Sequence, residues 1–442
     1  MRGKRWIRFA CSALGLLVPL FYGSSAAANP HAYGADGLHA KESAKPETEP
    51  IPVEDEGEVA GYHQGNLNPL FIQSKDGLFR LDLGAYTQLR YDGVTLETPA
   101  AGDPRFDSGW VFARTRFLFQ GRAGENIHYE LRMQISSEGA FNLLTAYVGY
   151  NFGDYRQRSR SNRGAWSLLI GQQFLAHMID MWMYPQDILT TEYSGVNYAF
   201  AIGVNDAVQA FFGKDRYRLW MAVSNGRFNP PIVAGSPGEV FGGDIRTGMV
   251  MFSGRAEIQL LGNDWNLYND QLSRPMNNSR SPGVKLGVAG AYSLGVRSQN
   301  PQPDPQPPKN ALQMTTDLIA GGNGFQVLAQ GVWNWFDDPS PTSRWGFMVQ
   351  GGYFIREPWN VYARYALVDP GTQPGYGQYN AVTLGTSWYP FAWSNRYRFS
   401  AEGGLLFNPI SASLVAPNPT IGWVASDQGS QYYFRLETQF GF

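Results

Sequence analysis

The chain closes on Gln431-Tyr432-Tyr433-Phe434-Arg435-Leu436-Glu437-Thr438-Gln439-Phe440-Gly441-Phe442. In an extended chain successive side chains point to opposite faces. Tyr432, Phe434, Leu436, Thr438, Phe440 and Phe442 therefore share one face, and Gln431, Tyr433, Arg435, Glu437 and Gln439 share the other. A helix does not separate two such sets at a spacing of two. A strand with one apolar and one charged face suits a wall between lipid and water.

Working back from this stretch, the same period recurs from residue 78. Phe79, Leu81, Leu83, Ala85, Thr87, Leu89 and Tyr91 interleave with Arg80, Asp82, Gly84, Tyr86, Gln88 and Arg90. Val111, Ala113, Thr115, Phe117 and Phe119 oppose Arg114, Arg116, Gln120 and Arg122, and Ile127, Tyr129, Leu131, Met133 and Ile135 oppose His128, Glu130, Arg132 and Gln134. Patchier candidates follow near 141–151, 165–174, 205–213, 216–225, 248–261, 283–296, 311–320, 325–336, 345–356, 359–368, 378–389 and 397–408. With the terminal strand the count is 16, and even counts are expected of bacterial single-chain barrels. The predicted fold is all-β, a transmembrane antiparallel barrel over 77–442.

Composition excludes the other classes. The 442 residues are 16 % charged, against about 25 % in an average soluble domain, and 14 % aromatic, with 51 Gly and one Cys. That aromatic content argues against disorder throughout, a single Cys against a disulfide scaffold, and a formal net charge of −2 against nucleic-acid binding. Past residue 30 no stretch reaches the roughly 18 apolar residues of a membrane helix.

Residues 1–28 read as a secretory signal: Arg2, Lys4, Arg5 and Arg8, an apolar run from Ala10 to Tyr22, then Ala26-Ala27-Ala28. The competing reading, a membrane anchor, needs a longer apolar run. Cleavage after Ala28 removes Cys11 and leaves 31 basic against 37 acidic residues. Residues 29–76 hold three Lys and nine Asp/Glu, so 77–442 is neutral with 28 of each sign. The run Glu54-Asp55-Glu56 and Pro46, Pro50 and Pro52 make 29–60 a candidate disordered periplasmic linker, with a short folded extension as the alternative. The long polar stretches 226–247, 262–282 and 299–310 are expected outside the cell. Residues 175–200 contain Leu175-Ala176-His177-Met178-Ile179-Asp180-Met181-Trp182-Met183-Tyr184 and are too apolar for a solvated loop. The reading is a loop folded into the lumen, with His177, Asp180, Trp182 and Tyr184 as constriction candidates; the alternative is an ordinary strand pair.

The polar faces supply the pore-lining candidates: Arg80, Asp82, Arg90, Arg114, Arg116, Glu130, Arg132, Arg255, Glu257, Lys285, Arg364, Arg398 and Glu402, with Glu437 beside them. Arginine facing lipid would cost roughly 2–4 kcal/mol at the midplane, which sets these side chains inward. Arg90, Arg114, Arg116 and Arg132 can form a basic column favouring anions, or can pair with Asp82 and Glu130 and brace the wall. No catalytic residue is assigned. There is no HExxH, no G-x-S-x-G and no cysteine metal set. His177 with Asp180, three apart, is the one candidate pair for a hydrolase, and it lacks a serine in the sequence pattern. No metal, cofactor or nucleic acid is implied.

An amphipathic last strand ending on an aromatic resembles the signal by which bacterial outer-membrane barrels are recognised for insertion, and marks Phe440 and Phe442. Leu81-Asp82-Leu83-Gly84-Ala85-Tyr86-Thr87-Gln88-Leu89-Arg90-Tyr91, Ala113-Arg114-Thr115-Arg116-Phe117, Thr145-Ala146-Tyr147-Val148-Gly149-Tyr150, Leu169-Ile170-Gly171-Gln172 and Thr383-Leu384-Gly385-Thr386-Ser387-Trp388-Tyr389-Pro390 resemble the phosphate-selective porin O and P family and related general porins. The resemblance implies a 16-stranded homotrimeric channel with an inward third extracellular loop. Phosphate selectivity in that family looks to a lysine cluster, whereas 77–442 holds Lys214, Lys285 and Lys309 alone. The expected function is passive diffusion of small hydrophilic solutes, anions or phosphate preferred or not, across the bacterial outer membrane in contact with its lipid. The alternatives are a barrel holding a partner protein recruited by the acidic segment, and an outer-membrane hydrolase.

Overall fold

In the computed structural model the described residues are 59–62, 70–97, 106–135, 141–152, 165–182, 188–214, 216–225, 250–262, 282–296, 309–337, 342–369, 371, 378–391, 396–408 and 429–441. Residues 1–58, with the expected signal and most of the acidic segment, lie outside them, as do Tyr184 and Phe442. Two short strands, β1 (Val59–Tyr62) and β2 (Leu70–Gln73), precede sixteen longer ones. These are β3 (Phe79–Leu96), β4 (Phe106–Ala123), β5 (Ile127–Ile135), β6 (Phe141–Phe152), β7 (Ala165–Phe174), β8 (Val204–Lys214), β9 (Tyr217–Ser224) and β10 (Val250–Leu261). The second half is β11 (Gly283–Val296), β12 (Lys309–Gly322), β13 (Phe325–Phe336), β14 (Thr342–Arg356), β15 (Trp359–Asp369), β16 (Tyr379–Trp388), β17 (Arg398–Leu406) and β18 (Gln431–Gly441). Two helical turns, α1 (Ile179–Trp182) and α2 (Gly195–Phe200), lie between β7 and β8.

Each long strand pairs antiparallel with its successor, and β18 returns to β3 in register from Gln431↔Leu96 to Gly441↔Tyr86. The result is a closed 16-stranded barrel, as the alternation predicts. Closure removes the free edges along the length that β3 and β18 share, which is what a sheet in lipid requires. β3 extends beyond the end of β18, and β2 takes up that leftover edge from Leu70↔Leu83 to Gln73↔Arg80. β1 pairs with β2 in turn. Both short strands fall within the N-terminal segment 29–76; the apolar Leu70-Phe71-Ile72 and the overhanging edge of β3 explain why they pair.

The wall is apolar outside and polar inside. On β18 Tyr432 and Leu436 are each 51 % exposed, while Arg435 and Glu437 are 1 % and 2 % exposed. Exposed apolar residues with buried charges invert the order of a soluble protein and fit lipid outside a polar lumen. The phase slips once on β4. A bulge lies opposite Gln88/Leu89. It turns Trp110 and Phe112 outward and buries Ala113, whereas unbroken alternation had set Val111 and Ala113 with Thr115.

Antiparallel order also corrects a loop assignment. β10 and β11 meet at the rim that carries the short turns after β4, β8, β12 and β14. The connection expected over 262–282 thus belongs to the opposite rim from those over 226–247 and 299–310. The β7–β8 connection is the third at the long-connection rim.

Candidate functional site

The β7–β8 connection runs inward, as its apolar composition predicts. Met178, Ile179, Ile188, Val196, Ala199 and Phe200 are buried in one cluster with Ile319, Leu328, Val332, Met348, Ala366, Val368, Tyr379, Ala381 and Leu406. These partners come from the lumen faces of β12 to β17. Here the inner wall is apolar, which is why the alternation looks patchy in these strands. Two glycines make the close approach possible. A Cβ on Gly346 would sit 2.7 Å from Phe200 Cε2, and one on Gly352 3.0 Å from Leu189 Cδ2. Burying an apolar side chain contributes about 1.5–3 kcal/mol, so this seat is the main attachment of the loop.

Polar contacts fix the loop along its length. Ser194 caps α2, accepting from the Asn197 N–H at 3.0 Å and donating through Oγ to Asp180 Oδ2 at 2.7 Å. The Asp180 N–H donates to Gln330 Oε1 at 3.1 Å. At the loop's tip the Glu192 carboxylate accepts from Arg90 Nη1 at 3.1 Å, from Arg114 Nη2 and from the Tyr198 hydroxyl at 2.5 Å. Burial pushes the Glu192 carboxyl up, but Arg114 and Arg90 outweigh it and hold the group at about 2. Thr191 donates through N and Oγ1 to the two Glu402 oxygens at 3.0 and 3.1 Å. Arg364 Nη1 donates to Thr190 Oγ1 and to the Glu192 carbonyl at 2.8 and 2.7 Å. Arg398 Nη1 donates to the Ile188 carbonyl at 2.6 Å.

The wall charges are largely paired. Arg80 meets Asp82 at 2.6 Å, Arg90 also meets Asp92 at 2.8 Å, and Arg132 meets Glu130 at 3.3 Å. Arg398 meets Glu437 at 2.9 Å. Arg255 makes a bidentate pair with Asp317, both contacts at 2.8 Å, and reaches Glu257 at 2.8 Å, which lies 3.8 Å from Lys285. Glu402 also accepts from Tyr433, Tyr362 and Arg435 at 2.8, 3.2 and 3.2 Å. The basic column drawn from Arg90, Arg114, Arg116 and Arg132 is thus interrupted by carboxylates. Arg116 differs: among the described residues it meets Gln134 and the Tyr86 ring and no carboxylate.

His177 and Asp180 do not form a catalytic pair. Asp180 is taken by Ser194, and no hydrogen bond joins it to His177 among the described residues. The His177 carbonyl accepts from Arg255 at 2.8 Å, and burial, then Arg255, push its imidazole down to about 3. Of Trp182 only the backbone in α1 is described. Among the described residues no group of three or more His, Cys, Asp or Glu can hold a metal.

Four lumen groups were not singled out from the sequence: Glu192, Asp92, Asp317 and Arg435. A signal for Glu192 exists. Residues 175–203 contain Asp180, Asp187 and Glu192 and no Lys or Arg, so an inward loop of that charge needs basic partners on the wall.

Comparison with known proteins bears on the fold. No family model matches this chain, and no curated protein does. Among solved structures the chain is similar to the anion-selective porin of Comamonas acidovorans, with a TM-score of 0.52 and 13 % identity over 82 % of this chain and 99 % of that one. It is similar to the outer-membrane channel DcaP of Acinetobacter baumannii, with a TM-score of 0.50 and 11 % identity over 87 % and 100 % of the two chains. Pseudomonas putida OprB gives a TM-score of 0.50 and 10 % identity over 81 % and 94 %. At this identity the likeness is one of fold, and that fold is the outer-membrane β-barrel of porins.

Proposed function

We propose that the protein is a channel of the bacterial outer membrane through which small hydrophilic solutes diffuse past the inward loop. The observation that carries this is the inverted wall: charges and amides face a lumen that β3 to β18 enclose, and apolar side chains face out. On the loop, Tyr193 and Tyr198 are half-buried, whereas its residues against β12 to β17 are fully buried. Tyr193 stands 5.6 Å from the Arg114 guanidinium and Tyr198 bonds Glu192, so the loop tip meets the wall at β3 and β4 and the solute path passes beside this contact. Because most lumen charges are paired, anion preference is mild, and a lysine-based phosphate site is not part of this reading. Three copies per assembly follow from the sequence resemblance to trimeric porins, and crosslinking in detergent tests it.

The alternatives fare worse. Part of the lumen is filled by the chain's own residues 175–182 and 188–203, which leaves less room for a partner protein. His177 and Asp180 do not make the pair that the hydrolase reading needs. The test is single-channel recording of the purified mature protein in a planar bilayer under a KCl gradient. Stepwise conductance with a small reversal potential towards chloride supports the proposal. Folded protein without conductance refutes it.

A further inference from the structure

We propose that the outer wall of β6 to β9, where it reaches the short-turn rim, binds the headgroup of an anionic phospholipid, with Lys214 and Arg216 as its cations. The registers Phe152↔Trp166, Trp166↔Phe212 and Phe212↔Leu219 set four apolar side chains in one row across four neighbouring strands. Phe152, Trp166 and Leu219 are exposed on the lipid side, and the Trp166 and Phe212 rings lie 4.6 Å apart. Lys214 shares the outward face of β8 with Phe212 and lies two residues, about 6.6 Å, nearer the rim. It pairs in register with Tyr217, which is exposed, and Arg216 in the turn between them is exposed as well. From the barrel's waist outward the order is apolar row, then tyrosine and lysine, then arginine. A leaflet has the same order, with acyl chains, glycerol and then phosphate.

Charge singles out this stretch of the rim. At the turns after β4 and β14 the sequence sets one cation against one acid, Arg122 with Glu125 and Arg356 with Glu357, and Asn323-Gly324 after β12 carries no charge. The turn after β8 brings Lys214 and Arg216 against Asp215 alone. Among the described residues no carboxylate forms an ion pair with Lys214 or Arg216. Phe152 closes β6 and Ala165 opens β7 at this rim, and the sequence between them holds Arg156, Arg158, Arg160 and Arg163 against Asp154. Short turns of bacterial barrels face the periplasm, so these cations meet the inner leaflet. The arginine offers a phosphate its planar fork and the lysine a point charge. A zwitterionic headgroup brings its own cation and gains less, so an anionic phospholipid is selected, by about fivefold for each cation at the surface.

The test uses the full mature barrel in phosphatidylcholine vesicles. Cys11 in the signal is the only cysteine of the chain, so a single introduced cysteine takes the fluorophore. Leu260→Cys places it on exposed β10 wall, next to Gln259, whose N–H donates to the Arg216 carbonyl at 2.9 Å. Phe325→Cys places it beside the uncharged turn after β12 as a control. Quenching by brominated phosphatidylglycerol is compared with quenching by brominated phosphatidylcholine. At residue 260 the glycerol lipid should be favoured by about fivefold or more, and at residue 325 by a ratio near one. Lys214→Gln with Arg216→Gln should bring the first ratio down to the second, with unchanged far-ultraviolet dichroism, and Lys214→Arg should keep it. Equal ratios at the two labels, a ratio that the double variant leaves unaltered, or displacement of the lipid by millimolar inorganic phosphate would overturn the site.

Discussion

Replacing Glu192 by glutamine removes the charge that joins the loop tip to Arg90 and Arg114. Breaking a buried ion pair from one side costs about 3–5 kcal/mol. The apolar seat opposes release: Met178, Ile179, Ile188, Val196 and Phe200 are buried, and at about 1.5–3 kcal/mol each they contribute roughly 7–15 kcal/mol together. The seat wins, so the loop stays on β12 to β17 while its tip loosens. The passage beside the tip also gains one net positive charge. A unit charge about 4 Å from the path in a water-like dielectric is worth about 1 kcal/mol to each ion, with opposite sign for anion and cation, and so about thirtyfold in the anion-to-cation ratio. Glu192→Gln should therefore raise single-channel conductance modestly and shift the reversal potential towards chloride, the anion-to-cation permeability ratio rising by up to about thirtyfold at low salt. Identical conductance and selectivity would refute the placement of Glu192 beside the path. A several-fold jump in conductance would refute the ranking, because the polar clamp would then be the main attachment.

Further outcomes follow from the same geometry. Glu192 is held at about 2 in the seated loop against an ordinary value of 4.5; its contribution is complete above that ordinary value and is lost as pH falls towards 2, so current noise should stay flat from pH 7 to 5 and rise only in strong acid. Phe200→Ala should weaken the seat by about 3–5 kcal/mol with the barrel intact, read as faster protease cleavage within 175–203 and unchanged far-ultraviolet dichroism. Gly346→Leu places a side chain where Phe200 Cε2 lies 2.7 Å from a bare Cβ, and it should displace α2 and raise conductance more than Glu192→Gln does.

Much of this architecture is legible in the sequence because lipid on one side and water on the other impose period two on every strand. The terminal strand, the count of sixteen and the inward course of 175–200 are all read from that rule and from its local breach. What is lost is whatever perturbs the period. The bulge near Ala113 shifts the phase by one residue without a Gly or Pro to mark it. β2 is four residues long, too short for a pattern, and pairs because β18 ends at Gly441 beside Tyr86. The patchy strands β12 to β17 carry information that periodicity alone discards: Ile319, Val332, Met348 and Val368 face inward because another part of the chain covers them. Pairing partners are harder still. His177 stands out in the sequence by its imidazole, yet it is its carbonyl that Arg255 uses, and no side-chain rule finds that.

The loop tip has a mechanical consequence. The joint between β3 and β18 unites segments more than 300 residues apart, so of all the barrel's joints it carries the largest chain-closure entropy. Residues 190–192 grip both of its sides from within, Glu192 holding Arg90 and Arg114 on β3 and β4 while Thr191 holds Glu402 on β17 and touches Arg435 on β18. The same segment that narrows the passage is thus a buckle across the seam of the hoop. Amides along β3 and β18 should then exchange their hydrogens as slowly as those of any neighbouring pair, and loosening the buckle should open the hoop at that seam first.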